Sequence, residues 1–126
     1  MCFYKEHRKY QIAKEDLLVW KWMIKYRGKY VTLVQNYYYK LNELQPLIKI
    51  RVVKNSMHGR IEEGYHFFTG QRGVVGRDEK YIPFKIPKGT RFVWGYNFKQ
   101  SFSGVSEQLV RITETEAKTL KEVERL

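Results

Sequence analysis

The sequence predicts a mainly β domain of the α+β class, built as a small antiparallel sheet or a partly open barrel. Short apolar and aromatic runs, in which basic side chains recur at every second residue, are typical of half-buried strands. Glycine, proline and asparagine separate these runs, as they do at turns. Helical spacing of apolar residues occurs only near the end of the chain. We therefore expect about six or seven strands and a short C-terminal helix.

The first two predicted strands form a hairpin. Leu17–Tyr26 alternates apolar residues with Lys21 and Lys25, which favours a strand whose lysines face solvent. Gly28 then supplies the positive φ of a tight turn, and Lys29–Val34 returns as the second strand.

The most regular alternation lies in Leu47–Val53, where Lys49 and Arg51 are expected to point outward from a strand. The tyrosine triplet at residues 37–39 is either a strand end or a short helical turn, and at least one of its rings is expected to stay exposed. Polar residues and a glycine over 54–60 predict a loop after the strand.

The second half of the body continues with Ile61–Thr69, a strand interrupted at Gly64, and with the glycine-rich loop Gly70–Lys80. Three further strands are predicted over Tyr81–Ile86, Thr90–Tyr96 and Ser106–Ile112. A loop over 97–104 separates the last two.

The C-terminal segment has the signature of a helix. Thr113 followed by Glu116 forms a capping-box pattern, and apolar residues then recur on one face, so a helix is predicted over Glu114–Arg125. At 126 residues the chain has the length of a single domain, with a β-rich basic body over 1–112 and the helix within 113–126.

The positive charge lies in the body rather than in a tail. The net charge is +11, from 24 Lys and Arg against 13 Asp and Glu. Thr113–Leu126 holds three basic and four acidic groups, so the preceding residues hold 21 and nine, a net charge of +12. These charges are interleaved with ten Tyr, seven Phe and three Trp. A basic, aromatic-rich surface indicates an anionic partner: a nucleotide, a nucleic acid or an acidic protein surface.

Other classes of protein find no support in the composition. A single cysteine, Cys2, excludes an internal disulfide, and no apolar run reaches the roughly 18 residues of a membrane span. The first fifteen residues lack the apolar core of a signal peptide, which predicts a cytoplasmic location. The three histidines have no metal-ligand spacing, so neither a metal nor a cofactor is expected.

Several residues are candidates for binding an anion, six by charge and Tyr65 by stacking on a base. The six cations are Lys49, Arg51, Arg72, Arg77, Lys88 and Arg91. The glycines around Arg72 and Arg77 would let backbone N–H groups approach a phosphate. The alternative for that loop is a flexible surface segment with solvated arginines. The segment Lys88–Trp94 partly resembles an RNA-recognition strand, whose aromatic residues stack on bases. The alternative is an ordinary amphipathic strand with Phe92 and Trp94 in the core.

The one candidate for catalysis is His66, which follows Glu62 and Glu63 in sequence. A nearby carboxylate would raise the pKa of the imidazole or orient it as a base. The alternative is a half-buried histidine whose partner is the backbone. No nucleophile motif is present, so a non-enzymatic binding module is favoured over an enzyme.

Three short stretches resemble parts of a known group of proteins. The first is Met1-Cys2 with Ala13–Asp16 before Trp20-Lys21, and the second is Glu63–Phe68. The third is Ile86–Thr90, followed by Trp94-Gly95 and Val105-Ser106. In this order they are similar to small uncharacterised proteins of gut Bacteroides-type bacteria and of their phages and mobile elements.

The resemblance covers most of residues 1–112 and implies a small β-rich domain of mobile-element origin, without an assigned catalytic residue. A counter-defence role, by sequestering a signal nucleotide or blocking a nucleic-acid-guided nuclease, is implied by the resemblance alone. The loop Gly70–Lys80 departs from the group, which carries a helical stretch there.

A more distant likeness concerns the ADP-ribosyltransferases. The turn Ile86–Thr90 is similar to their Leu-Pro-Arg-Gly-like turn, but the serine triplet of their central strand and their Glu-x-Glu motif are missing. The likeness implies a fold analogy and keeps a nucleotide-processing enzyme as one alternative. The other alternative is a protein–protein interaction module, which would bind an acidic partner or form a homodimer through its C-terminal helix.

Overall fold

The described part of the chain forms twelve strands and one short helix. A computed structural model describes residues 3–6, 9–33, 35–55, 58–70, 76–97 and 100–123. The first six strands are β1 (Phe3–Lys5), β2 (Gln11–Ile12), β3 (Leu17–Tyr26), β4 (Lys29–Thr32), β5 (Arg51–Asn55) and β6 (His58–Glu63). The others are β7 (Tyr65–Phe68), β8 (Glu79–Ile86), β9 (Arg91–Asn97), β10 (Gln100–Ser106), β11 (Val110–Arg111) and β12 (Lys121–Glu122), with α1 (Glu114–Ala117) between the last two.

The mainly β class, the open antiparallel sheet and the short helix are confirmed, but the expected number of six or seven strands is wrong. Two causes account for the difference. Several strands have only two or three residues, which is too short for an alternation to be recognised. In addition, the hairpins β5–β6 and β9–β10 occupy regions where polar residues predicted loops.

The sheet follows the order β11-β8-β3-β7-β10-β9-β1-β6-β5, with β2, β4 and β12 attached beside this path. Strand β3 has an unusual pairing. One of its edges runs against β8 from Leu17↔Ile86 to Ile24↔Glu79. Since a strand has two edges, its other partners must share the second one. They follow each other along it: β12 at residues 17–18, β7 at residue 20 and β4 at residues 23–26.

The main core lies on one face of the sheet. Alternation places Phe92 and Trp94 of β9 in this core, as predicted, whereas Val93 between them packs in a smaller cluster on the other face. The buried residues of the main core are Ala13, Val19, Met23, Tyr39, Tyr65, Phe67, Ile82, Phe84, Ile86, Phe92, Trp94, Leu109 and Val123.

Strand β3 is buried on both faces. Val19 and Met23 belong to the main core, and Leu18 and Trp20 pack on the opposite face with α1. Lys21 lies between Val19 and Met23 on the same side of the strand. The prediction that this lysine faces solvent is therefore wrong, because a central strand has no face left for water.

The C-terminal helix begins as predicted and ends early. The Thr113 hydroxyl accepts a hydrogen bond from the Glu116 N–H at 3.1 Å, which confirms the cap. The helix stops at Ala117 instead of reaching Arg125, because the chain then pairs in parallel with the start of β3. Ala117 is buried against the sheet, so α1 does not offer an apolar face to a second copy.

An irregular segment, residues 35–50, connects β4 to β5 and covers one side of the sheet. Its backbone N–H groups at Asn42, Gln45 and Ile48 donate to carbonyls of residues 111, 109 and 107. Donors three residues apart meet acceptors two residues apart, which is not the repeat of a regular ladder. The strand predicted over Leu47–Val53 therefore begins only at Arg51.

Candidate ligand cavity at Lys21

A cavity of about 610 Å³ opens where β3 changes partner from β7 to β4. Trp20 pairs with Phe68 of β7 and Met23 pairs with β4, whereas no described residue pairs with Lys21 or Trp22 on this edge, because β7 separates from β3 there. The wall contains residues of β3, the end of β4, the segment 35–48, and β6 and β7. At the rim, Leu33 and Tyr37 are exposed, so the cavity communicates with solvent.

Lys21 supplies an amine to the cavity wall. Its Nζ lies 5.4 Å from the centre of the Tyr39 ring, a cation–π distance. No hydrogen bond or ion pair joins this amine to a carboxylate of the described residues. Burial lowers the pKa of Lys21 to about 8. At pH 7 roughly ten ammonium ions are still present for each free amine.

Three tyrosines form the opposite side of the cavity. The Tyr37 and Tyr39 rings meet edge to face with centroids 4.6 Å apart, and Tyr39 in turn meets Tyr65 at 6.4 Å. The Tyr65 hydroxyl donates to the Pro46 carbonyl at 2.7 Å, and the Tyr37 hydroxyl donates to Gln45 Oε1 at 3.1 Å. Burial raises the pKa of Tyr39 and of Tyr65, so both phenols stay neutral.

Tyr65 was predicted to stack on a base, but it is a core residue. Only 8% of its surface is exposed. Within the triplet 37–39, Tyr37 and Tyr38 are exposed and Tyr39 is buried, which agrees with the expectation that at least one ring stays accessible. The ring best placed to meet a ligand at the rim is therefore Tyr37.

His66 lines the same cavity, but not as the predicted partner of a carboxylate. Glu62 accepts hydrogen bonds from the Arg60 guanidinium, with Nε at 2.8 Å, and Glu63 lies 3.8 Å from Arg51. Burial, and after it the charge of Lys21, lowers the pKa of His66 to about 4. A rise of the pKa caused by a neighbouring carboxylate is therefore not found, and the half-buried position agrees with the alternative interpretation of this histidine.

Three of the cations predicted to bind an anion lie on the protein surface. Lys49, Arg77 and Lys88 are exposed. Arg77 precedes β8 and Lys88 follows it, and a strand of eight residues separates its ends by about 23 Å. The prediction that these cations share one basic face stays a prediction.

Two other predicted cations are engaged with carboxylates. Arg91 donates to Glu107 Oε2 at 2.7 and 3.1 Å and lies over the Tyr10 ring at 4.6 Å. Arg51 is within 4 Å of both Glu62 and Glu63, and its side chain is 58% exposed. Arg72 lies outside the described residues.

Sequence reasoning missed Lys21 as a functional residue. The available signal was that β3 carries large apolar side chains on both faces, Leu18 and Trp20 on one and Val19 and Met23 on the other. A lysine in a strand that is apolar on both faces belongs to a buried strand.

Comparison with known proteins adds no relationship. None of the protein-family models, curated protein sequences and solved structures compared with this chain matches it. Over the described residues, no group of three or more His, Cys, Asp or Glu side chains is arranged to hold a metal ion. In the same part of the chain, no helix combines the length and the apolar character needed to cross a bilayer.

Proposed function

We propose that this protein is a non-enzymatic binding module for a small anionic ligand of the nucleotide class, bound in the Lys21 cavity. The observation that carries the proposal is a lysine side chain placed in an aromatic cavity without a carboxylate beside it. An ammonium ion without a counter-charge is unfavourable in such surroundings. An anion entering the cavity would supply the missing charge.

The remaining lining supports a planar ligand. Tyr37 and Trp22, which are exposed and half-buried, offer aromatic surface on which a base or a similar ring can stack. The exposed Gln35 amide and the Thr32 hydroxyl add polar groups that can hydrogen-bond to ring edges or hydroxyls. Because Glu62 is already bonded to Arg60, the only carboxylate of the wall does not compete for Lys21.

The size of the cavity favours a single nucleotide over a longer strand. Small-molecule sites typically have volumes of about 300–1,000 Å³, and 610 Å³ lies within that range. A nucleic acid would instead need phosphate-binding cations along a continuous path. Arg51 and Arg91, two of the cations that would line such a path, are paired with carboxylates, so binding of a nucleic-acid strand is the less favoured form of the proposal.

Isothermal titration with a panel of nucleoside mono-, di- and triphosphates at ~50 mM salt tests the proposal, since charge contacts are strongest at low salt. We expect binding by the wild type and a loss of at least tenfold in affinity for Lys21→Met. Lys25→Met is the matched control, because Lys25 lies on the same face of β3 but is exposed, and it should bind like the wild type.

The pH dependence gives a second readout. If the ammonium form binds the anion, affinity should fall above pH 8, approaching tenfold per pH unit. Absence of binding by every nucleotide and by a single-stranded oligonucleotide would overturn the proposal. Equal affinities for the wild type and Lys21→Met would show that the ligand binds elsewhere.

One observation favours a second function, that of a protein–protein interaction module. The irregular segment exposes several large apolar residues close together in the chain, namely Leu33, Tyr37, Tyr38, Leu41, Leu44 and Leu47. Exposed aromatic and aliphatic side chains in one region are typical of protein interfaces. Light scattering coupled to size-exclusion chromatography would detect self-association, and Leu44→Ser with Leu47→Ser should abolish it.

The biological setting stays a prediction. The resemblance of the sequence to mobile-element proteins makes sequestration of a signal nucleotide in the cytoplasm the role we propose to test first. Native mass spectrometry of freshly purified protein would reveal a co-purified nucleotide.

A further inference from the structure

The Lys21 cavity has a second chemical capability, which does not need the ligand to be an anion. An amine that opens into a cavity is a nucleophile as well as a cation, provided that part of it is unprotonated. Most lysines of the described residues are exposed to water, which solvates their ammonium groups. Others, such as Lys85, lie beside carboxylates, with Glu116 Oε2 at 2.9 Å. Lys21 has neither kind of stabilisation for its ammonium form.

The surroundings of the amine are suited to a reaction. The titratable side chains of the wall are Lys21, Tyr37, Tyr39, Glu62, Tyr65 and His66. None of them stabilises the ammonium ion as a free carboxylate would, since Glu62 is bonded to Arg60. Burial lowers the pKa of Lys21 to about 8, so about half of it is free amine at pH 8. A lysine with the usual pKa of 10.5 has more than a hundredfold less free amine at that pH, by the definition of the pKa.

A planar carbonyl compound can reach the amine. The cavity opens to solvent between Leu33, Gln35 and Tyr37, all of which are exposed. Its volume of about 610 Å³ holds a small aromatic molecule with room to turn. Nζ lies 5.4 Å from the centre of the buried Tyr39 ring, Tyr37 presents an exposed ring at the opening, and His66 is a neutral nitrogen base in the same wall.

From this geometry we infer that Lys21 is a covalent binding site for small planar aldehydes, which it holds as an imine. The Nζ lone pair attacks the carbonyl carbon and forms a C–N bond, and the carbonyl oxygen takes up a proton. The resulting carbinolamine then loses its hydroxyl group with a second proton as water. Both hydrogens of the amine leave in that water, so no oxidant or reductant is needed. Protonation of the imine from solvent gives an iminium ion, which retains the positive charge of the cavity.

Reductive trapping tests the inference directly. The protein is incubated with salicylaldehyde at pH 8, treated with borohydride, digested and mapped by mass spectrometry. Borohydride converts an imine into a stable secondary amine, which marks the lysine that formed it. We expect modification of Lys21 to exceed that of any exposed lysine, such as Lys25 or Lys49, by at least tenfold. Unfolding the wild type in urea should abolish the preference.

Two variants complete the design. Lys21→Arg keeps a positive charge but cannot form an imine, so it should lose the preferred adduct. Lys25→Arg is the matched control and should keep it. Salicyl alcohol, which has the same ring without the carbonyl group, should leave no adduct. Labelling spread evenly over the exposed lysines of the wild type would overturn the inference without any variant.

The outcome is separable from that of the proposed function. Nucleotide binding that survives in Lys21→Arg, together with an absence of trapping in the wild type, would overturn only the imine. Preferred trapping at Lys21 without binding of any nucleotide would support the imine and overturn the proposed function. A near-ultraviolet imine absorbance that appears with the wild type and not with Lys21→Arg would confirm the assignment.

Discussion

Replacing Lys21 with methionine should stabilise the unliganded protein. Methionine has similar length and no charge to bury. Burial lowers the pKa of Lys21 from its usual 10.5 to about 8, a difference of about 2.5 units. At about 1.4 kcal/mol per unit, the ammonium form costs the folded state up to about 3 kcal/mol.

The sign of the pH dependence follows from the lowered pKa. Between pH 8 and 10.5 the unfolded chain binds more protons at this position than the folded protein, so wild-type stability should rise with pH across that window. The advantage of Lys21→Met should accordingly shrink from about 3 kcal/mol at pH 7 to about 1 kcal/mol at pH 9.5. Urea denaturation at both pH values measures it.

The control for this prediction is Lys25→Met, which removes an exposed lysine from the same face of the strand and should change stability by less than about 0.5 kcal/mol. A Lys21→Met protein that is no more stable than the wild type at pH 7 would refute the reasoning. An advantage that does not change between pH 7 and 9.5 would also refute it, because the cause would then be packing rather than charge.

Three further predictions concern other parts of the fold. The wild type should lose stability as the pH falls from 6.5 toward 4, because the folded imidazole of His66 has a pKa of about 4 and resists protonation, and His66→Gln should lose less. Urea denaturation at pH 5 and 7 measures this loss, and an equal loss in both proteins would contradict the prediction. Gly104→Ala should lower the free energy of unfolding by about 2–3 kcal/mol, since the new Cβ would lie 2.5 Å from a Phe67 ring carbon. Gly70→Ala is the control, because its Cβ would meet open space, and it should leave stability unchanged in the same thermal denaturation experiment. Glu107→Ala should cost about 2–3 kcal/mol by urea denaturation, because this buried carboxylate accepts hydrogen bonds from a backbone N–H and an arginine; a loss below 0.5 kcal/mol would mean that water replaces it.

Local chemistry explains the elements that the sequence predicts well. The hairpin β3–β4 has Arg27 and Gly28 at φ values of 51° and 80°, the two positive angles that a tight hairpin turn requires. The break at Gly64 likewise has a φ of 126°, and a Cβ there would lie 2.2 Å from Val105. Turns and caps depend on a few adjacent residues, so their signals are complete in the sequence.

The cavity could not be predicted in the same way. Its position depends on where β7 separates from β3 and where β4 starts to pair with it, which is a matter of long-range pairing. A prediction from alternating apolar and polar residues also assumes that each strand has one solvent-exposed face. That assumption correctly places Phe92 and Trp94 inside, but fails for Lys21, whose strand has neighbours on both edges and packing on both faces.

The shared edge of β3 also has a consequence for the time course of folding. Its three partners come from positions near 30, 68 and 121, and Leu17 pairs with Lys121 across more than a hundred residues. The local hairpin β3–β4 can form within about 10 μs, but distant strands must first close long loops, which places such sheets in the millisecond-to-second range. Lys21 therefore stays hydrated through most of folding and loses its water only when the distant strands dock. Because the desolvation of this side chain comes late, we expect it to raise the free energy of the native state more than that of the transition state. It should therefore speed unfolding more than it slows folding.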